Sequence, residues 1–205
     1  QVKKMGELGF LGMMVDPKYG GAGMDSVSYV LAIEEIAKVD ASAAVVMSVN
    51  NSLVCAGLEK FASEEQKQKY LVPLAKGEVI GAFALSEPEA GSDATSQKTT
   101  AIDMGDHYLL NGTKNWITNG SSASTYLVIA QTNTELGHKG INALIVERGM
   151  EGFTTPEMHG KLSLRASATG ELIFVNVKVP KENLLPGRSG LGAPLSCLDS
   201  ARFGI

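Results

Sequence analysis

Cysteine is scarce in this chain. Among 205 residues there are two, Cys55 and Cys197, far apart and set among small or apolar neighbours. That excludes a disulfide framework and any thiolate metal spacing, and both read as buried core thiols. Basic charge is also short. Lys and Arg number 18 against 22 Asp and Glu, a net charge of -4, so no basic field exists to neutralise a phosphate backbone and nucleic acid is not an expected partner. The three histidines, His107, His138 and His159, stand singly in polar, loop-like contexts and read as neither ligands nor bases. Uninterrupted apolar runs are missing too. None approaches the ~20 residues that cross a bilayer, and Gln1 to Met5 already belongs to an amphipathic pattern rather than a signal peptide. Tryptophan occurs once, at Trp116.

What is present is an ordinary globular balance, 44% hydrophobic and 20% charged, enough for one large domain or two small ones. The first part reads as helical. Residues 1–12 predict the tail of a helix with Met5, Leu8 and Leu11 on one face, ending at a glycine. Pro17 to Gly23 is a turn-rich connector, since no strand precedes it as a phosphate loop requires. Ser26 to Val39 predicts a helix with Val27, Val30, Leu31, Ile33 and Ala37 on its apolar face and Glu34 and Glu35 at its wet side. Asp40 or Ser42 caps a second helix, Ala43 to Phe61, whose small residues allow close approach. Ser63-Glu64-Glu65-Gln66 is a capping-box start for a third, which carries Tyr70 and Leu71 inward and stops at Gly77.

The period changes near Val79. Short strands follow: the run Val79 to Leu85, Gln97 to Ile102, Tyr108 to Leu110, Lys114 to Thr118, Thr125 to Gln131, Ile141 to Glu147, Gly160 to Leu164, and Glu171 to Val179. Asn111-Gly112 reads as a hairpin turn, and the apolar run Tyr126 to Ala130 as a strand covered on both faces. The fold class is α+β: a helical domain (1–78), an antiparallel β-barrel or sandwich (79–186), and the start of a second helical domain (187–205), reached through the loop 185–190. Both termini read as cut from something longer.

The chain is organised around the stretch Phe83 to Asp93. A hydrophobic run stops at Pro88 and Gly91, and Ser86, Ser92 and the amides around Gly91 gather in one loop suited to a polar, phosphorylated ligand. Trp116-Ile117-Thr118-Asn119-Gly120 repeats the design, with a flat ring beside a hydroxyl at a strand end. A stacking face, directed donors and a phosphate pocket are what a flavin nucleotide requires. The competing reading is a core tryptophan and a plain strand end.

The motifs Leu85-Ser86-Glu87-Pro88 with Ala90-Gly91-Ser92-Asp93, Leu110-Asn111-Gly112-Thr113-Lys114 with Trp116-Ile117-Thr118-Asn119, Leu164-Arg165-Ala166-Ser167-Ala168-Thr169, and Val179-Pro180 with Glu182-Asn183-Leu184-Leu185 resemble the acyl-CoA dehydrogenase family. The resemblance runs in order along essentially the whole chain. It implies FAD as cofactor, an acyl-CoA thioester as substrate, an electron-transfer flavoprotein as partner, a homotetramer, and a bacterial cytoplasm or a mitochondrial matrix as location. Carried over by position, Phe83, Leu85, Ser86, Gly91, Ser92, Trp116, Ile117 and Thr118 are the expected FAD residues. Thr118 would bond near the reactive flavin nitrogen and Trp116 pack on the ring. Ser92, Asp199 and Arg202 are the expected substrate contacts. The family's catalytic Glu is expected beyond Ile205. In two branches it instead sits immediately before the arginine matched by Arg202, where this chain has Ala201. Glu87 reads as structural. The segment 161–170 and the run 191–198 resemble the glutaryl-CoA branch, but the arginine which that branch places before Met47-Ser48 falls on Ala44. A short, unbranched acyl chain such as butyryl is therefore expected. Glutaryl-CoA dehydrogenase, an acyl-CoA oxidase and a non-catalytic acyl-CoA-binding scaffold are the alternatives.

Overall fold

The computed structural model describes residues 1–187 and 190–205, without the side chain of Ser200. Arg188 and Ser189 of the expected loop 185–190 lie outside the described residues. The chain begins with α1 (Val2–Glu7), then α2 (Ser26–Val39) and the long α3 (Ala41–Phe61). The starts of α2 and α3 have a chemical cause. The Asp25 carboxylate accepts from the Ser28 amide at 2.8 Å, and that of Asp40 from the Ser42 amide at 2.9 Å. The next helix, α4 (64–75), opens on the expected capping box: Ser63 Oγ accepts from Gln66 N, and Gln66 Oε1 accepts from Ser63 N. Ser63→Ala is expected to cost about 1 kcal/mol, read as a lower urea midpoint at unchanged m-value.

Helix α3 is the spine of the helical part. By length and composition it is apolar enough to cross a membrane, which the count of uninterrupted runs did not anticipate; 78% of that stretch is buried inside the protein, as in a core helix. Its middle, Val49–Cys55, widens to π-helical winding. There Asn50 turns three neighbours toward itself. Its Nδ2 donates to the carbonyls of Leu11 (2.8 Å) and Leu74 (3.2 Å), and its Oδ1 accepts from Gly81 N (2.9 Å). One buried amide thus joins the N-terminal turns, the end of α4 and the first strand.

Among the described residues seven strands follow: β1 (Gly81–Ala84), β2 (Thr100–Asp103), β3 (His107–Ile117), β4 (Thr125–Gln131), β5 (Ile141–Glu147), β6 (Phe153–Thr154) and β7 (Gly170–Pro180). They form one curled sheet in the order β1-β4-β2-β3-β7-β6, with β5 also on β4. The sheet is mixed rather than purely antiparallel, because β1 and β2 each pair with β4 in parallel. Strand β4 explains its unbroken apolar run. Tyr126, Val128 and Ala130 face the inside of the curl with Phe153, Phe174 and Val177, while Leu127 and Ile129 meet Leu53, Leu58 and Leu74 of the helices. A last helix, α5 (Gly192–Ala201), packs against α3.

Several expectations change. Asn111-Gly112 is not a hairpin turn. It lies inside the continuous strand β3 at a bulge in the pairing with β7, and Gly112 takes φ +142 because a Cβ there would meet Thr99 Oγ1 at 2.5 Å. Gly160 to Leu164 is loop, and β2 begins at Thr100 rather than Gln97. On α2, Val27 and Leu31 are exposed and Tyr29 is the fully buried residue. Leu8 is exposed as well, because α1 ends at Glu7 and Gly9 turns the chain with φ +82. Both cysteines are buried and free, as expected.

Candidate functional site

The two chemically loaded stretches follow the ends of β1 and β3, and the structure brings them together. Asn115 N donates to Ser86 O at 2.9 Å. Beneath that bond lies a fully buried lysine. Lys114 Nζ donates to Glu87 Oε1 (2.7 Å), to the carbonyl of Leu85 (3.0 Å) and to Gln97 Oε1 (3.2 Å). Glu87, 7% exposed, completes the knot by accepting from the amides of Lys98 (2.6 Å) and Thr99 (3.1 Å). Burial pushes the Glu87 carboxyl upward, but the Lys114 charge and these hydrogen bonds outweigh it and hold the carboxyl below its usual range. Burial dominates at Lys114 and brings its ammonium down to about 8. At neutral pH both groups are charged, a buried ion pair joining the two loops.

Beyond the pair the loop turns tightly. Glu87 and Ala90 exchange backbone hydrogen bonds, leaving Pro88 and Glu89 at the tip and Gly91 and Ser92 exposed. Asp93 ends the loop with its carboxyl held low by the hydroxyls of Ser96 and Thr95. The second stretch carries Trp116. It is 67% exposed and adopts φ +60, at a register shift between β3 and β7. A bulky residue in the left-handed region is strained. A core tryptophan is thereby excluded, and the ring presents an open face. The loop below it is fixed from behind. Asn119, buried with φ +64, donates through Nδ2 to Gly81 O at 2.9 Å. Arg148 donates through Nε to Ala123 O (2.6 Å) and through NH2 to Tyr126 OH (2.6 Å), behind the same turn.

Three hydroxyls around this ring and loop, those of Ser86, Ser92 and Thr118, have no hydrogen-bond partner among the described residues. An open ring face with uncommitted donors beside it suits a flat, polar, phosphorylated ligand. The remaining candidates lie differently. The side chains of Phe83 and Leu85 pack into the core between sheet and helices, and Ile117 is buried inside the curl, so any contact they make with a ligand falls to their backbone. Asp199 and Arg202, both exposed, pair with each other at 2.7 Å, and no hydrogen bond or ion pair among the described residues joins them to the two loops. Lys114 was missed as part of the site. Strand alternation was the available signal, since Tyr108, Leu110 and Lys114 share the inward-facing register.

Residues 1–78 match the family description "Acyl-CoA dehydrogenase, N-terminal domain", and residues 82–177 match "Acyl-CoA dehydrogenase, middle domain". The chain belongs to the acyl-CoA dehydrogenase family. The short-chain specific acyl-CoA dehydrogenase of Clostridium acetobutylicum is 48% identical over all of this chain, which covers 54% of that protein. A chain in the structure of the electron transferring flavoprotein of Acidaminococcus fermentans superposes with a TM-score of 0.95 at 48% identity, over 99% of this chain and 54% of that one. Glutaryl-CoA dehydrogenase of Mycobacterium smegmatis in complex with FADH2 superposes with a TM-score of 0.93 at 45% identity, over 99% and 51%. The chain spans about half the length of the relatives it matches.

Proposed function

We propose that this chain is the N-terminal and middle part of a FAD-dependent acyl-CoA dehydrogenase that introduces an α,β double bond into a short-chain acyl-CoA and passes the electrons to an electron-transfer flavoprotein. The observation that carries the reading is Trp116, an exposed and strained ring two residues before Thr118, in a stretch where the family resemblance leads us to expect flavin contacts. In this reading Trp116 covers one face of the ring system, and Thr118, half-buried at the strand end, directs its hydroxyl to the ring edge. The exposed amides around Gly91 and the Ser92 hydroxyl meet phosphate and substrate. When bound, FAD supplies the hydride acceptor for the carbon β to the thioester carbonyl. The proton on the α-carbon needs a carboxylate. Glu87 is unsuited, because both its oxygens are committed inside the protein. The position before Arg202 is Ala201, 2% exposed. We therefore assign the base, with the far wall of the site, to sequence after Ile205, and keep the division 1–78, 79–186 and 187–205, a tetramer and a bacterial cytoplasm as parts of the same proposal.

Helix α3 lines the acyl end in this reading, with a buried Ala44 at the position where a cation would have to meet a second carboxylate. The test uses full-length, FAD-loaded protein mixed with butyryl-CoA, glutaryl-CoA or isovaleryl-CoA. Butyryl-CoA is expected to bleach the flavin fastest. Fastest bleaching by glutaryl-CoA overturns the chain-length assignment, and no bleaching by any of the three overturns the activity.

A further inference from the structure

The Leu85–Ser86 peptide has its two polar ends in different surroundings. No peptide bond among the described residues is cis, so the Leu85 carbonyl and the Ser86 N–H point in opposite directions. The carbonyl points inward and accepts from the buried Lys114 ammonium at 3.0 Å. The N–H points the other way and has no acceptor among the described residues. The next carbonyl, that of Ser86, is held by Asn115 N, one residue before Trp116. The free N–H is thus anchored on both sides, in the loop bonded to the residue before Trp116.

We propose that the Glu87–Lys114 pair tunes the flavin through this peptide: the ammonium polarises the Leu85 carbonyl and makes the Ser86 N–H a charge-reinforced donor toward the cofactor, favouring its reduced form. The inference rests on the flavin reading given above. A cation on the carbonyl of a peptide strengthens the hydrogen bond its N–H donates, and bonds to charged groups are about twice as strong as neutral ones. Reduction adds electron density to the ring system, so a stronger donor stabilises the reduced form more than the oxidised form. Lys114 acts through the peptide and is a positioning residue. Glu87 keeps it charged, and Gln97 supplies a neutral acceptor. No other charged group acts on Lys114 among the described residues.

The test is the flavin midpoint potential of full-length, FAD-loaded protein, native against E87Q/K114M, which replaces the buried pair by neutral groups of similar size and is expected to fold. At pH 7 the variant's equilibrium should shift about tenfold toward oxidised flavin, about 30 mV lower for a two-electron couple. The gap should close as pH rises through about 8, where native Lys114 loses its proton. A purely structural pair would alter the melting temperature and leave the potential alone. K114M alone should show the same lowered potential. A shift under twofold at pH 7, or a gap constant from pH 7 to pH 10, overturns the inference while leaving the flavin reading intact. A native protein that takes up no FAD overturns both.

Discussion

Glu87→Ala is expected to cost about 3–5 kcal/mol of folding stability, although the residue lies in a loop. The magnitude divides unevenly. Lys114 can escape an unpaired charge by releasing its proton, so the electrostatic part is limited. Its ammonium is already lowered to about 8 in the native fold, and completing the neutralisation at pH 7 adds roughly 1 kcal/mol at 1.36 kcal/mol per pKa unit. The larger part comes from the amides of Lys98 and Thr99, which lose their acceptors and cost about 1–3 kcal/mol each when left unpaired. Glu87→Gln keeps one acceptor oxygen and should cost about half as much. Urea denaturation at pH 7 decides between these values, and a loss below about 1 kcal/mol would show that the loop does not depend on the pair.

The same pair sets a pH dependence with a definite sign. The folded-state pKa of Lys114 lies below its unfolded value of 10.5. Between pH 8 and 10.5 the unfolded chain therefore binds the extra proton, and the contribution of Lys114 to stability rises with pH through that window. Native protein should gain on Lys114→Met over this range, other groups cancelling in the difference.

Trp116→Ala is the second large effect, and it should appear in binding rather than folding. A ring 67% exposed contributes little to the core, so stability should change by no more than about 0.5 kcal/mol. Covering that ring with a flat cofactor is worth about 2 kcal/mol from buried area and stacking, so FAD affinity should fall roughly thirtyfold. Trp116→Gly is sharper still. It relieves the strain of φ +60, so the variant should melt no lower than native while losing FAD to the same extent. Calorimetric titration of FAD into full-length apoprotein, beside thermal melts, separates the two effects. A stability loss above about 2 kcal/mol with unchanged FAD affinity would make Trp116 a packing residue.

The misreadings of the sequence share a cause. Asn-Gly is the preferred pair of a tight hairpin, yet here the strand continues through it, because a neighbour at contact distance, Thr99, requires a residue without Cβ and the partner strand β7 absorbs the bulge. Local propensity lost to a contact 13 residues away in sequence. Apolarity alone puts Val27 and Leu31 on the buried face of α2, whereas the core takes Tyr29, whose hydroxyl reaches Ser48 O at 3.5 Å.

That Phe83 to Asp93 and Trp116 to Gly120 are two strand-end stretches of similar chemistry was readable from residue order, because loop chemistry and motif spacing are local properties. So were the helix caps at Ser63 and Asp40 and the doubly covered strand β4, whose signals lie within a few residues of one another. Only the tertiary structure decided that Trp116 is open, that Phe83, Leu85 and Ile117 turn their side chains away, and that Lys114 lies buried under the loop. Exposure, backbone strain and ion pairing depend on which distant segments pack together, and no window of sequence around a residue contains its partners across the sheet.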